Sequence, residues 1–183
     1  EEYALDLTGQ YQLRNLLGVL NVLEFIEKAG FIIEPENVKK GLRQVSKLTG
    51  LCGRWQKLSD KPLTIADTGH NEDGIKQVIG NLNNLKYDKL HMVIGAVNDK
   101  DVSRILELLP NNATYYFVKA NIPRALDSEE LFKQAQKFKL KGKACGDVEQ
   151  GLKAAKKAAS KNDLIFIGGS TFVVGDALAL LKP

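Results

Sequence analysis

The stretch ADTGHNEDG, residues 66–74, brings carboxylates, a histidine, an asparagine and two glycines into nine consecutive positions. Carboxylates beside a histidine could bind a metal ion, and glycines at a helix start could cradle a phosphate. The same composition is also typical of a solvated turn. The stretch alone leaves these three interpretations open, so the surrounding sequence must decide.

Several loop residues outside this stretch suit an anion. Ser170 follows two glycines and opens the last predicted helix, where backbone N–H groups attract negative charge. Arg54 lies between a glycine and a tryptophan, where its planar guanidinium is placed to reach a phosphate. Lys100 and Arg124 lie in loops after two predicted strands. Taken singly, each of these residues is explained more simply by a surface ion pair or a helix cap.

Asn15 lies on an otherwise apolar helix stripe. Its spacing from Val19, Val22 and Ile26 places all four residues on one helix face. An amide on such a face needs a hydrogen-bond partner, either nearby backbone or a ligand, and the spacing leaves both possibilities open.

The common nucleotide, hydrolase and zinc signatures are absent from the sequence. No G-x-G-x-x-G follows the first predicted strand, and neither G-x-x-x-x-G-K-[ST] nor G-x-S-x-G occurs. The two histidines lie 21 positions apart without an H-E-x-x-H pattern, and Cys52 and Cys145 lack ligand spacing. We therefore predict no metal site in this chain, and we expect both cysteines to be reduced.

Strand and helix patterns alternate from about residue 60 onward. Short apolar runs predict buried strands at 63–67, 89–97, 113–120 and 163–169, with a weaker candidate at 143–147. Helical patterns follow at about 74–85, 101–109, 128–138, 148–160 and 171–181. This alternation predicts an α/β fold with a Rossmann-like, mostly parallel sheet and helices on both faces. The ligand crevice of such a sheet lies at the carboxyl ends of its strands, so the polar strand ends should gather there.

The first fifty residues follow a different pattern. Residues 13–30 form one long helical pattern that ends at Gly30, and residues 35–45 predict a shorter helix with proline in its first turn. We predict that residues 1–50 are the helical tail of a preceding domain with its connector, and that residues 51–183 form the α/β domain.

Composition limits the class of partner. Hydrophobic residues make up 44% of the chain, which is enough for a packed core, and the formal charge of +4 is too small to indicate nucleic acid. Nine lysines between Lys133 and Lys161 lie mostly at helical positions without interleaved aromatic residues. No apolar run approaches membrane length. We expect a cytoplasmic protein without a nucleic-acid or membrane partner.

Six motifs, taken in order, resemble the C-terminal part of the folylpolyglutamate synthase/dihydrofolate synthase family of the Mur ligase superfamily. They are GQYQLRN (9–15), CGRW (52–55), DTGHN (67–71), GAVNDKD (95–101), IPRAL (122–126) and GGSTFVVGDAL (168–178). The family versions read roughly G-x-x-Q-x-x-N, P-G-R, D-G-A-H-N-P, G-x-x-x-D-K-D, P-R-A and G-S-L-Y-L-V-G-E. The resemblance covers essentially all 183 residues. The departures at Cys52, Thr68, Gly69 and Glu72 remove no side chain that carries chemistry.

The resemblance implies an ATP-dependent ligase. Such an enzyme phosphorylates the carboxylate of a folate or dihydropteroate, and the amine of L-glutamate then displaces the phosphate. The resemblance implies that Asn15 and Asp67 contact the nucleotide, with Asp67 at the ribose. It also implies that Arg54 reaches the phosphates.

The same resemblance implies a glutamate site. By this resemblance, His70 and Ser170 correspond to glutamate-binding positions, and Lys100 is the expected partner of a glutamate carboxylate. The catalytic residues expected on this basis are Arg54, His70 and Lys100.

The P-loop, the magnesium ligands and the folate-binding loop of these enzymes lie in an N-terminal domain that this sequence does not contain. We therefore expect an inactive fragment of a monomeric parent that uses ATP and Mg²⁺. Two alternatives stay open: a non-catalytic nucleotide- or amino-acid-binding domain, and a peptidoglycan-precursor ligase. The choice between dihydrofolate synthase and folylpolyglutamate synthase activity also stays open.

Overall fold

The structure is a computed structural model that describes residues 2–98 and 101–180. It divides into two compact units, Glu1–Arg54 and Trp55–Pro183. The division falls between Arg54 and Trp55, four residues after the predicted end of the first segment at residue 50. That the first unit is the tail of another domain stays a prediction.

The first unit contains three helices, α1 (Gln12–Lys28), α2 (Pro35–Arg43) and α3 (Val45–Thr49). The helix α1 ends at Lys28, and Gly30 closes it as predicted: Gly30 adopts a φ of +97°, and the N–H group of the next residue bonds back to the Ile26 carbonyl at 3.3 Å. The single helix predicted over residues 35–45 is instead two, because the backbone of Gln44 leaves the helical conformation (φ −135°, ψ 29°).

The long helix α1 carries exposed apolar side chains. Leu13, Leu17 and Phe25 are 65%, 63% and 74% exposed. On the face that carries Asn15, Val19 and Val22 are also exposed, at 44% and 56%.

The second unit is a six-stranded sheet with the strand order β1-β2-β6-β3-β4-β5. Its strands are β1 (Gln56–Asp60), β2 (Leu63–Ala66), β3 (Leu90–Ile94), β4 (Thr114–Lys119), β5 (Lys141–Asp147) and β6 (Leu164–Gly168). Its helices are α4 (Glu72–Asn83), α5 (Ser103–Leu108), α6 (Ser128–Gln136), α7 (Val148–Ala158) and α8 (Thr171–Leu180). The predicted residue 181 of the last helix lies outside the described part of the chain.

All strand pairs are parallel except β1 with β2. The predicted mostly parallel α/β fold is thus confirmed. The strand β1 was not predicted, because its sequence QKLSD has no apolar run and its side chains are half-buried or exposed at the sheet edge.

Side chains alternate between two apolar cores along the inner strands. Met92 and Phe166 pack on one face with α4, α5 and α6, whereas Val93 and Ile167 pack on the other with α7 and α8. The crossovers through α4, α5 and α6 therefore use one face, and the return from β5 to β6 through α7 uses the other. This reversal at β6 creates a topological switch point, where parallel sheets bind ligands.

Within the described residues, no helix combines the length and apolar character that crossing a membrane requires.

Candidate functional site

The DTGHN loop connects β2 to the first turn of α4. The Asn71 side chain caps that helix, because its Oδ1 accepts the Gly74 N–H at 2.8 Å. A Cβ on Gly69 would lie 3.1 Å from the Gly74 carbonyl oxygen, so the loop folds back tightly on the helix start. Two glycines in this stretch thus serve close backbone packing.

The Asp67 carboxylate organises the start of this loop. It is 2% exposed, and its two oxygens accept the N–H groups of Gly69 and Trp55, each at 2.8 Å. Trp55 has a φ of +50°, which is unusual for a residue other than glycine. The buried carboxylate therefore fixes the peptide that follows Arg54 as well as the loop itself.

His70 lies at the exposed tip of the loop. Its Nδ1 is 3.0 Å from the Thr68 carbonyl oxygen, and a carbonyl can only accept, so Nδ1 is the protonated nitrogen. In the neutral ring, Nε2 is then an acceptor that can take a proton from a ligand.

The end of β6 brings a second polar group to the same edge of the sheet. Ser170 is 4% exposed, and its Oγ accepts the Phe172 N–H at 3.3 Å at the start of α8. A Cβ on Gly169, whose φ is +81°, would lie 2.8 Å from the Gly95 carbonyl oxygen. Glycine at this position lets β6 and β3 end side by side.

His70 and Ser170 line one cavity of about 310 Å³ at the carboxyl ends of the strands. The remaining described residues that line it are Ala96, Val97, Val102, Ile105, Arg124, Gly169, Thr171 and Phe172. The prediction that these two strand-end loops share a crevice is confirmed. Their roles in glutamate binding stay predictions.

Arg124 joins this cavity from the loop after β4. Its carbonyl accepts the Asn98 N–H at 2.9 Å, and the Leu126 N–H donates to the Ala96 carbonyl at 3.0 Å, so the loops after β3 and β4 are bonded together. The guanidinium carbon lies 5.0 Å from the centroid of the Phe172 ring. The sequence identified Arg124 as a loop cation without a role. The sequence signal for its place in the site is its position after a buried strand, since parallel strands end at the same edge of the sheet.

The other predicted site residues have no described place in this cavity. Lys100 lies outside the described residues. In the first unit, Arg54 and Asn15 are exposed. The Asn15 amide donates to the Gln12 Oε1 at 2.8 Å, so nearby protein supplies the hydrogen-bond partner that its spacing called for.

A larger cavity of about 800 Å³ opens beside the ends of β4 and β5. Three of its four carboxylates accept backbone N–H groups: Asp127 and Asp147 cap α6 and α7, and Asp176 accepts the Asn121 N–H at 2.8 Å. These side chains serve the fold, and none of the predicted site residues lines this cavity.

The described residues offer no metal centre. Across residues 2–98 and 101–180, no group of three or more His, Cys, Asp or Glu side chains could hold a metal ion.

Comparison with known proteins agrees with this architecture. The family model "Mur ligase, glutamate ligase domain" matches residues 53–171. A Haloferax volcanii protein described as a probable bifunctional folylpolyglutamate synthase/dihydropteroate synthase is 31% identical over 176 residues, 94% of this chain and 20% of its own. The folylpolyglutamate synthase of Lacticaseibacillus casei is 30% identical over 123 residues, 66% of this chain and 28% of its own.

A solved structure of a bifunctional folylpolyglutamate synthase/dihydrofolate synthase with Mn, AMPPNP and L-glutamate bound superposes with a TM-score of 0.74. It is 25% identical, and the match covers 87% of this chain and 37% of that one. The chain thus spans only about a fifth to a third of the length of the relatives it resembles.

Proposed function

Because the chain belongs to the Mur ligase, glutamate ligase domain family, we propose that it is the C-terminal part of an ATP-dependent ligase that adds L-glutamate to folate or dihydropteroate. The observation that carries this proposal is the cavity shared by His70, Ser170 and Arg124. It lies at the switch point of a parallel sheet, and it combines polar groups with a cation.

The proposed reaction has two steps. The γ-phosphoryl group of ATP passes to the carboxylate of the acceptor, which gives an acyl phosphate and ADP. The glutamate nitrogen then bonds to the acyl carbon, the bond from that carbon to the phosphate oxygen breaks, and the nitrogen loses a proton. Fixed cations and hydrogen-bond donors stabilise the negative charge that develops on the oxygens in both steps.

His70 is suited to the second step. Since its Nδ1–H is directed to the Thr68 carbonyl, its Nε2 is left as the proton acceptor. We assign Nε2 the task of accepting a proton from the glutamate ammonium group. Ser170 and Lys100 are assigned to the glutamate carboxylates.

Nucleotide contacts are assigned to three residues. Arg54 neutralises phosphate charge, and Asn15 and Asp67 contact the nucleoside. Asp67, whose two oxygens each accept one backbone N–H, is assigned to the ribose. The magnesium ligands belong to a part of the ligase outside the described residues. The two free cysteines fit a reducing, cytoplasmic setting.

The proposal is tested by measuring ADP release. The complete ligase that contains this chain should release ADP only when both glutamate and a folate or dihydropteroate acceptor are present. The 183-residue chain alone should release none, because phosphoryl transfer needs a phosphate-binding loop and magnesium. Binding of glutamate or nucleotide without any ADP release from the complete protein would favour a non-catalytic binding domain instead. Folate-dependent ADP release from the 183-residue chain would contradict the assignment of the phosphate-binding loop and magnesium ligands to another part of the ligase.

The assignment of Arg54 has its own test in the complete ligase. Arg54→Lys keeps the charge but replaces a planar, two-pronged donor by a point ammonium. We expect a fall in kcat/KM for ATP of roughly tenfold or more, as for loss of a charge-assisted hydrogen bond. Unchanged kcat and unchanged KM for ATP would remove Arg54 from the phosphate site.

A further inference from the structure

We propose that Thr68 is a positioning residue for His70: its buried, branched side chain holds in place the backbone carbonyl that sets the tautomer of the imidazole ring. This inference rests on the proposed function, in which the Nε2 of His70 accepts a proton. It gives a role to a residue that the sequence motifs left unassigned.

The first support is the contact between the two residues. The Nδ1 of His70 lies 3.0 Å from the Thr68 carbonyl oxygen, which can only accept a hydrogen bond, so the ring proton is on Nδ1. In a neutral imidazole, the hydrogen bond of one nitrogen determines the role of the other. Because His70 lines the cavity, the position of this carbonyl decides whether the ring has its free acceptor on Nε2 or on Nδ1.

The second support is that the Thr68 side chain is buried although the tip of the loop is exposed. Thr68 is 8% exposed, whereas His70, two residues later, is an exposed residue. A buried side chain anchors its own peptide group, and a residue with a branched Cβ has far fewer backbone conformations than glycine. The Thr68 carbonyl is therefore held from the protein interior.

The residue between them does not loosen this link. The Gly69 N–H donates to the Asp67 Oδ1 at 2.8 Å, and the Gly69 backbone packs closely against Gly74 at the start of α4. The glycine between Thr68 and His70 is thus fixed by a buried carboxylate on one side and by the helix on the other. The constraint at Thr68 is transmitted to the histidine.

The third support is that hydrogen bonding does not account for a threonine at this position. The Thr68 Oγ1 is buried and has no hydrogen-bond partner among the described residues. A buried hydroxyl without a partner destabilises a folded protein. The useful part of the side chain is therefore its packed, branched shape, which valine shares.

The test measures the tautomer of His70 by ¹⁵N NMR of the imidazole nitrogens in the 183-residue chain. At about pH 9, where imidazole rings are neutral, His70 should have a protonated Nδ1 and an unprotonated Nε2. His91 is the internal reference. Its Nε2 lies 3.3 Å from the Asp163 carboxylate, so it should show the opposite tautomer in every variant that folds.

Two substitutions separate the branched shape from the hydroxyl. Thr68→Gly should give His70 a mixture of the two tautomers, because the carbonyl loses its anchor. Thr68→Val should keep the single tautomer and raise the urea midpoint, because it removes the unpaired hydroxyl. Thr114→Gly is the matched control, since it makes the same change at an exposed threonine at the start of β4, and it should leave the His70 tautomer as it is.

The same variants in the complete ligase connect the tautomer to turnover. Thr68→Gly should lower kcat by roughly 10-fold, part of the roughly 10²- to 10⁴-fold that a well-placed general base contributes. The KM for ATP should be unchanged in this variant. Thr68→Val should rescue kcat, because it restores the branched side chain.

The outcomes separate the inference from the function on which it rests. If His70 shows mixed tautomers in the unmodified chain, or a single tautomer in Thr68→Gly, then Thr68 does not position the ring and the proposed ligase function stands. If Thr68→Val keeps the tautomer but loses kcat, the hydroxyl contacts a substrate and the inference is wrong. If Thr68→Gly mixes the tautomers without changing kcat, His70 is not the proton acceptor, and that assignment fails together with the inference.

Discussion

The two histidines of this chain lie near opposite ends of the same sheet, and their surroundings differ. His91 lies near the amino ends of the strands, is 4% exposed, and has side-chain partners for both ring nitrogens. His70 lies beyond the carboxyl end of β2, is exposed, and has one nitrogen directed to a backbone carbonyl. One imidazole is committed to the fold, and the other is available to a ligand.

The buried network around His91 is satisfied within the protein. The Asp163 carboxylate accepts the N–H groups of Ser160 at 2.7 Å and Lys89 at 3.1 Å, and lies 3.3 Å from the His91 Nε2. With Nε2 as donor, Nδ1 can accept the Tyr116 hydroxyl, 3.2 Å away. This network connects β3, β4 and the start of β6, so its role is structural.

The contrast follows from the topology. Both ends of the sheet have loops, and the reversal of winding at β6 opens the crevice that His70 lines at the carboxyl end. A histidine at that end reaches a cavity, whereas a histidine inside the strands at the other end must find protein partners. Residue type alone therefore does not distinguish a ligand-binding histidine from a structural one.

Replacing Asp163 should have the largest effect on stability. Asp163→Ala removes the acceptor of the Ser160 and Lys89 N–H groups and the partner of the buried His91, and we expect a loss of about 3 kcal/mol in the free energy of unfolding. Urea unfolding measures this loss. Asp88→Ala is the control, because Asp88 is exposed on the same edge, and it should cost less than about 0.5 kcal/mol. An equal loss of unfolding free energy in the two variants would contradict a structural role for the Asp163 network.

The same carboxylate predicts a pH dependence. The Ser160 N–H, with help from His91 and the Lys89 N–H, lowers the pKa of Asp163 in the folded state, although burial opposes this shift. Its stabilising contribution is therefore complete above the ordinary pKa of an aspartate and is lost as the pH falls through the lower, folded pKa. Urea unfolding measures this at about pH 6 and about pH 3. The free energy of unfolding should fall less between these two pH values for Asp163→Ala than for the unmodified chain.

Substitutions at the opposite end should change binding instead of folding. In the complete ligase, His70→Ala or Ser170→Ala should raise KM for glutamate by roughly 10- to 100-fold before it affects KM for ATP. Because His70 is exposed, its removal should leave the urea midpoint of this chain nearly unchanged. A rise in KM for ATP with an unchanged KM for glutamate would instead assign these residues to the nucleotide-binding site.

Asp67 lies on the carboxyl edge but is buried like Asp163, so it tests whether the two ends are as distinct as they look. Asp67→Asn keeps one acceptor oxygen and places an amide against a backbone N–H, which should cost about 2 kcal/mol. Trp55 is the single tryptophan of the chain. Its fluorescence should change, because its backbone N–H loses the carboxylate oxygen of Asp67 as its acceptor.

The control for that change is Asp73→Asn on the exposed first turn of α4, which should leave the Trp55 emission as it is. If Asp67→Asn alters neither the emission nor the exchange rate of the Trp55 amide proton, the carboxylate does not hold this turn.

The inner strands could be predicted from the sequence, because burial on both faces of the sheet produces continuous apolar runs. The strands β3, β4 and β6 have that property, whereas the edge strand β1 is polar and owes its place to pairing with β2. Pairing partners are a tertiary property that no local pattern encodes. The split between α2 and α3 at Gln44 was likewise not visible in the helical periodicity.

For the site, the sequence predicted which residues stand at strand ends but not how they are connected. The meeting of His70 with Ser170 follows from the rule that parallel strands end at one edge. Two features depend on contacts between distant segments: the bond from Trp55 to Asp67, and the bonded loops that bring Arg124 to the cavity. These contacts require the folded chain.

The smallest expected effect belongs to Asn71, whose side chain stabilises the carboxyl edge itself. Its Oδ1 caps α4 through the Gly74 N–H, so Asn71→Ala should cost about 1 kcal/mol in urea unfolding and speed amide exchange in the first turn of that helix. Asn71→Asp keeps the acceptor oxygen and adds a negative charge that a helix start favours, so it should retain the stability. If alanine and aspartate at this position give the same midpoint, the cap does not contribute, and the tight loop must be held by the close packing of Gly69 on Gly74 alone.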